Sequence, residues 1–487
     1  MITKSASEDL ERRLVDHVTR GKLLDLAITG PVDEAAMRTW DDARTIKATV
    51  LRDILRGRLA PDPDPHGLRL RGARIDGRLD LVNLTTGLIV ALYDCLLEEG
   101  LVARDATLPR LILSGCRLKH PTESPLAADR LTAAVLALDR AVVTAHCETG
   151  AVELPAAHLG QLNCTGATLR NDAGPALVAD GLQVDQTASL RDGFEAVGAG
   201  EAGAVRLVGA HVHGQLDCTN ATIRNDAGPA LVAHGLKVDQ KVLLDQCQLV
   251  GAGDNETLNL LDVRVAGVLV FDPKPLENTT NSQARLALDG LTYTGLPLDS
   301  TKRPQGISVD HWLDLLRKAT PSYAAQPYQY FASAHRASGN DSEVRKILMA
   351  QRRDQVARGE LQLRDRAWAW LTRHTLGYGY QPWRALIALV IVAAIAVVLA
   401  LFLGAHGGVA RPGPYPPTGT RCSVVEQIGV GLDLGLPLIK TGIRDHCDTT
   451  ASTTGQVLTA AGWGLQLLAW GFATLFVAGF TGIVRKT

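Results

Sequence analysis

Residues 160–186 read GQLNCTGATLRNDAGPALVADGLQVDQ, and residues 214–240 read GQLDCTNATIRNDAGPALVAHGLKVDQ, the two agreeing at 22 of 27 positions. A shorter phrase, LRGARIDGRLDL at 70–81, returns as LVGAHVHGQLDC at 207–218. Around them, from 67 to 296, apolar residues come in pieces of two or three, separated by Gly, Asp, Asn and Arg. Close repetition marks a solenoid, in which each repeat buries its apolar face only against its neighbours. Pieces this short do not make helical repeats; they predict a right-handed parallel β-helix. Leu79, Leu81, Leu162, Cys164, Leu216 and Cys218 are expected to point inward, side chains of similar size stacking rung on rung. Corners need tight or left-handed backbone, which Gly adopts freely and Asn or Asp nearly so. Asn171-Asp172 and Asn225-Asp226, each followed by Ala-Gly-Pro, are expected at corners or in small outward loops.

A solenoid exposes strand edges at its ends unless something covers them. Helical spacing at 8–28 and 33–59, stopped by Pro61, Pro63 and Pro65, predicts an N-terminal helical cap over 1–65, with the solenoid at 66–296. Beyond a linker at 297–305, helices are predicted at 308–319, 327–337 and 341–357, a C-terminal helical segment within 297–383. The last carries Val344, Ile347, Leu348 and Val356 on one side and Arg345, Lys346, Arg352 and Arg353 elsewhere, a solvated or lipid-facing basic surface.

Residues 385–405 are 21 uncharged residues, and 457–484 form a second apolar run ended by Arg485-Lys486. At about 1.5 Å per residue, about 20 residues cross a hydrocarbon layer of about 30 Å. A two-helix transmembrane hairpin over 384–487 is therefore expected, with an intervening loop at 406–456. Arg364, Arg366, Arg373 and Arg384 before the first span, and Arg485 and Lys486 after the second, put both termini in the cytosol of a multi-pass cell-membrane protein. Arg411, Arg421, Lys440 and Arg444 in the loop oppose that bias. The start of the chain has no apolar core of the kind a secretory signal needs, in keeping with a cytosolic body. Trp368, Trp370, Tyr378, Tyr380 and Trp383 are expected as an interfacial collar, with Arg384, Arg485 and Lys486 as anchors.

Cys422 and Cys447 are the only cysteines of that loop. A disulfide between them would suit an outer location, and two free thiols are the alternative. The other six, Cys95, Cys116, Cys147, Cys164, Cys218 and Cys247, stand singly and are read as small core residues.

The Gly-x-Leu-Asp/Asn-Cys and Arg-Asn-x-x-Gly-Pro-Ala-Leu phrases, Leu190-Arg191-Asp192-Gly193-Phe194 and the tail 468–485 together resemble a known group. These are actinobacterial membrane proteins with a pentapeptide-like β-helix, commonly labelled membrane-associated oxidoreductase. The resemblance runs from about residue 65 onward and implies a pentapeptide-like solenoid on a membrane anchor, with oxidoreductase activity by label. The chain departs from the group by extra residues at 199–203.

That insertion makes Gly198-Ala-Gly-Glu-Ala-Gly203, formally a Gly-x-Gly-x-x-Gly dinucleotide fingerprint. The fingerprint functions only where a helix N-terminus follows. Here the next residues resemble a β-helix rung, and Val250-Gly-Ala-Gly253 repeats the feature, so a corner is expected and no cofactor. His211 and His213, two apart, would share a strand face as metal ligands do, but no third ligand accompanies them, and 54 residues earlier stand Ala157 and Leu159. A surface pair and no metal are expected.

Between 67 and 296 the only aromatics are Tyr93, Phe194, Phe271 and Tyr293, too few for sugar platforms or base stacking. A formal charge of -1 adds no global pull on nucleic acid, which is not expected as a partner. Residues 424–443 suit an interfacial or re-entrant helix, within which Val430-Gly431-Leu432-Asp433 faintly matches a potassium-filter phrase, but the complete Thr-Val-Gly-Tyr-Gly sequence is missing. Gly464, Gly471, Ala478, Gly479 and Gly482 would let helices approach closely. The sequence favours a membrane-anchored interaction or scaffold module that binds the bilayer and either a protein partner or itself. A membrane-associated oxidoreductase and a pore-loop channel or transport component are the alternatives.

Overall fold

The computed structural model describes residues 6–27, 32–298, 307–359, 383–412, 420–436 and 440–481. The chain divides into two compact units, Met1–Ile347 and Leu348–Thr487.

The first unit is a parallel β-solenoid. Its strands fall into three sheets, and the nine strands of the third sheet mark about nine turns. One turn runs from Val152–Glu153 through His158–Asn163 and Thr168–Asn171 to Leu177–Val178, which lies beside Val152–Glu153. Equivalent residues stack in register. Leu159, Val184, Val212, Val238 and Val265 form one interior column, and Leu169, Ala196, Ile223, Leu249 and Leu276 another. All six expected inward residues are at most 2% exposed. Each leucine so buried contributes about 2 kcal/mol of transfer free energy. Along the third sheet Leu177 pairs with Val205 and Val205 with Leu231, so the 54-residue sequence repeat is two turns and not one.

Most left-handed corners are glycines, as expected, Gly72, Gly115, Gly166, Gly209 and Gly235 among them. Left-handed backbone falls at Asn83, Asp105, Asn220 and Asp262, but also at Arg130, Arg140, Ala156 and Gln246, which have no steric preference for it. Asn171 and Asn225 instead end strands and turn inward, each 1% exposed. Asn225 Nδ2 donates to the carbonyls of Gly200 (2.9 Å) and Pro229 (2.8 Å), while its Oδ1 accepts from Gly200 N (3.3 Å) and Ala227 N (3.0 Å). Asn171 brackets Cys147 and Pro175 in the same way. The amide ties the turning backbone together, adding a second donor to the Pro175 and Pro229 carbonyls, which also accept from Ala151 N and Ala204 N. Outside, ion pairs link neighbouring turns, among them Arg71–Asp94, Arg104–Asp129, Arg130–Asp105, Arg170–Glu195 and Arg206–Asp180.

At the N-terminal side the helix Ala6–Thr19 stops well before 28, and Leu24–Asp25 pairs with Leu68–Arg71. The continuous helix expected over 33–59 is broken into Glu34–Arg38, a single 3-10 turn, the strand Thr45–Lys47 and Ala48–Leu55. Thr45 and Ile46 are β-branched and pair with Arg74 and Ile75, so an open strand edge outweighs helical periodicity here. Beyond the last rung, Ser308 caps the helix Val309–Lys318, whose Trp312 packs against Phe271, Tyr293 and Phe331. The N–H groups of Arg285 and Leu286 donate to the Ala319 carbonyl at 3.0 and 2.8 Å, giving the final strand a partner. Helices Ala325–Ala337 and Asp341–Arg358 follow where the sequence placed them, and Lys346 of the latter pairs with Asp310.

In the second unit, Trp383–Ala405 and Thr453–Phe480 are long and apolar enough to cross a membrane. They are not buried core helices: only 17% and 11% of their most apolar windows are covered. The second begins four residues before the expected 457, and 482–487 lie outside the described residues. Between them Val424–Gly435 is a separate helix, opened by a Ser423–Glu426 capping box. It ends at Leu436, whose extended backbone is what a following Pro437 demands. Cys422 and Cys447 are disulfide-bonded, and Val409–Ala410 pairs with Asp448–Thr449.

Candidate functional site

His211–Val212 is a two-residue strand whose Val212 faces the interior, leaving His211 and His213 outward with ring centroids 4.0 Å apart. The next turn pairs Lys237 with His211 and Val238 with Val212, which sets Asp239 level with His213. Its carboxylate joins both rings: Oδ1 lies 3.1 Å from His211 Nε2 and Oδ2 lies 2.8 Å from His213 Nδ1. One ligand atom from each residue falls within 4.8 Å of the others. The bonds from His211 and then His213 hold the Asp239 carboxyl below the usual carboxylate range. Gly214 makes this placement feasible, since a Cβ there would overlap the Gln186 carbonyl oxygen.

The sequence brought the two histidines together but missed Asp239. Register shows that the residues stacked with His211 are Gln183 one turn earlier and His158 two turns earlier, not Ala157. The usable signal was the Val-Asp-Gln phrase at 184–186 and 238–240. Asp185 in the first copy binds His158 alone (3.0 Å).

Gly198–Gly203 separates the strand Glu195–Gly198 from Val205–Arg206, so a strand stands where a dinucleotide fold needs a helix N-terminus. The Asn225 amide holds the Gly200 carbonyl, and Asn278 holds that of Gly253 at the related corner. Both segments are structural corners. A shallow concavity of about 380 Å³ is lined by Arg69, Arg71, Tyr93 and Arg140, but Arg71 is already paired with Asp94 and Asp25.

The six single cysteines are all buried. Burial pushes the Cys247 thiol up to about 12 and raises those of Cys116, Cys164 and Cys218. These are inert core groups.

In the second unit the Val424–Gly435 helix runs antiparallel along Trp383–Ala405. A Cβ at Gly404 would meet the Gln427 side chain at 2.9 Å, one at Gly431 would meet Val397 Cα at 2.6 Å, and one at Gly435 would meet Ala396 Cβ at 2.5 Å. The chain then returns: Asp433 accepts from Thr441 N (2.6 Å) and Oγ1 (3.0 Å). Arg411 bridges to Glu426 at 2.8 Å. Val430-Gly431-Leu432-Asp433 is helical, so its carbonyls do not line a filter. Among the expected interface anchors, Trp383 and Arg384 are exposed on the first turn of their helix. Trp368, Trp370, Tyr378, Tyr380, Arg485 and Lys486 lie outside the described residues.

These features define a class: a parallel β-solenoid followed by two helices apolar enough to span a membrane. Comparison with protein families, with curated proteins and with solved structures finds no match.

Proposed function

We propose that this protein is a membrane-anchored interaction module, a right-handed pentapeptide-like solenoid closed by its N-terminal helices and held at the inner face of the cell membrane. The supporting observation is how exposed apolar surface is divided. Leu23 and Leu59 are the exposed large apolar residues in the described part of the first unit. In the second unit Leu386, Ile387, Val390, Ile391, Val398, Phe402, Trp463, Leu467, Trp470 and Phe480 are all exposed. Such a belt suits lipid, whereas the solenoid's flanks are polar and regular, as in solenoids that present extended binding surfaces. A photo-crosslinking amino acid placed in turn at Arg170, Arg224 and Lys237 in cells is expected to capture a protein of defined mass, or a second copy of the chain. Absence of any adduct above background at all three positions counts against the module.

A second reading, a pore or transport component, draws on the antiparallel Val424–Gly435 helix. If Trp383–Ala405 spans the bilayer, Gly435 sits beside its residues 392–396, near mid-span, and the returning backbone with Asp433 and Thr441 lies at depth. Irregular backbone at that depth must be buried in protein or face water, and an ionisable group there is a default site. Ion flux in proteoliposomes that vanishes on deleting 426–441 would support this reading, and absence of flux from folded protein would remove it.

A further inference from the structure

We propose that His211, His213 and Asp239 form a binding site for a divalent transition metal of the zinc type. Two imidazole nitrogens and one carboxylate oxygen are the donors such ions prefer, and three protein ligands with a solvent-facing fourth position are the ligand count of an open zinc centre. The ligand atoms already lie within 4.8 Å of one another. Zinc bonds of about 2.0–2.1 Å place tetrahedral ligands about 3.3 Å apart. The present N–O separations of 3.1 and 2.8 Å, each to a different oxygen of Asp239, lie close to that spacing, and side-chain rotation that brings one oxygen between the two nitrogens completes the set.

Placement is also rigid. Val212 and Val238, at 1% exposure, pin both strands from inside, and adjacent turns are fixed by parallel pairing. Histidine–carboxylate contacts occur on other turns, His158–Asp185 and His146–Asp172, but each joins a single ring. Only at 211–239, among the described residues, do two rings converge on one carboxylate. From the neighbouring turns Gln183 and Lys237 stand level with His211, and Asp185 stands level with His213. The Asp185 carboxylate adds negative charge one rung away, while the exposed Lys237 amine opposes the cation and can swing into solvent. The proposal does not depend on the interaction-module reading, since the site lies wholly within the solenoid.

The test is titration of the untagged full chain in detergent with Zn²⁺ against a chromophoric chelator, and with Co²⁺ followed by its visible absorption. One equivalent per chain is expected. His213→Ala and Asp239→Asn should each weaken binding at least tenfold, and the more conservative His213→Gln should do the same. His158→Ala should leave it unchanged. Circular dichroism of each variant verifies the fold, which exposed substitutions leave intact. Absence of saturable one-to-one binding, or equal binding by the double variant His211→Ala/His213→Ala, overturns the proposal.

Discussion

The inward asparagines carry a cost visible one residue at a time. Truncating Asn225 removes the four hydrogen bonds its amide makes, two donated to the Gly200 and Pro229 carbonyls and two accepted from the Gly200 and Ala227 N–H groups. A hydrogen bond contributes about 0.5–1.5 kcal/mol net, so Asn225→Ala, which loses all four, is expected to lower the thermal midpoint of the solenoid's β-sheet dichroism by several degrees. Asp226→Ala, one residue on and exposed, should change it little. The thiols make a second prediction. Cys247 is pushed up to about 12 by burial, against an ordinary thiol value near 9. The folded state therefore holds its proton more tightly than the unfolded chain. This stability is fully present below about pH 9 and is lost as pH rises toward 12. A thiol reagent at pH 8 should modify none of the six solenoid cysteines until the protein is unfolded, and prompt reaction of the native protein would contradict the buried placement.

At the scale of elements, the solenoid was legible because its code is local: short apolar pieces with polar or glycine residues between. Leu162, Cys164, Leu216 and Cys218 could be assigned inward with no knowledge of which strand lay beside which. Whatever depended on neighbouring turns was hidden. Turns differ in length, 25 residues separating Val152 from Leu177 but 28 separating Leu177 from Val205, so counting by the 54-residue repeat misaligned His211 and concealed Asp239. The break at Thr45–Lys47 was hidden for the same reason, since a strand edge supplied from Arg74–Asp76 decides it. In the second unit, Gly431 and Gly435 are where two helices touch. Gly431→Leu would drive a branched side chain into the Val397 backbone. It should separate the helices enough to abolish oxidative crosslinking between cysteines introduced at Gly404 and Gln427, a pair in contact in the parent.

For the whole molecule, the disulfide and the six thiols bear on orientation. Cys422–Cys447 is bonded, in a loop flanked by the two long apolar helices, while every solenoid cysteine is free. Disulfides persist on the oxidising side of a membrane and thiols on the reducing side, which favours the loop outside and the solenoid inside. Loop arginines at 411, 421 and 444 oppose this by charge, but Arg411 and Arg444 are each paired with a carboxylate, Glu426 and Asp448. Accessibility in cells therefore decides between them. With a membrane-impermeant maleimide, intact cells should give no labelling before reduction and labelling at Cys422 and Cys447 after an impermeant reductant. A cysteine introduced at the exposed Arg170 should stay unlabelled until the membrane is permeabilised. Labelling of Arg170→Cys in intact cells would reverse the proposed orientation and move the solenoid, with its histidine–aspartate cluster, to the outer side. Closing a loop of the 25-residue separation contributes about 3 kcal/mol against unfolding. Cys422→Ser should then leave the hairpin inserted but lower its resistance to heat, which separates loss of the staple from loss of topology.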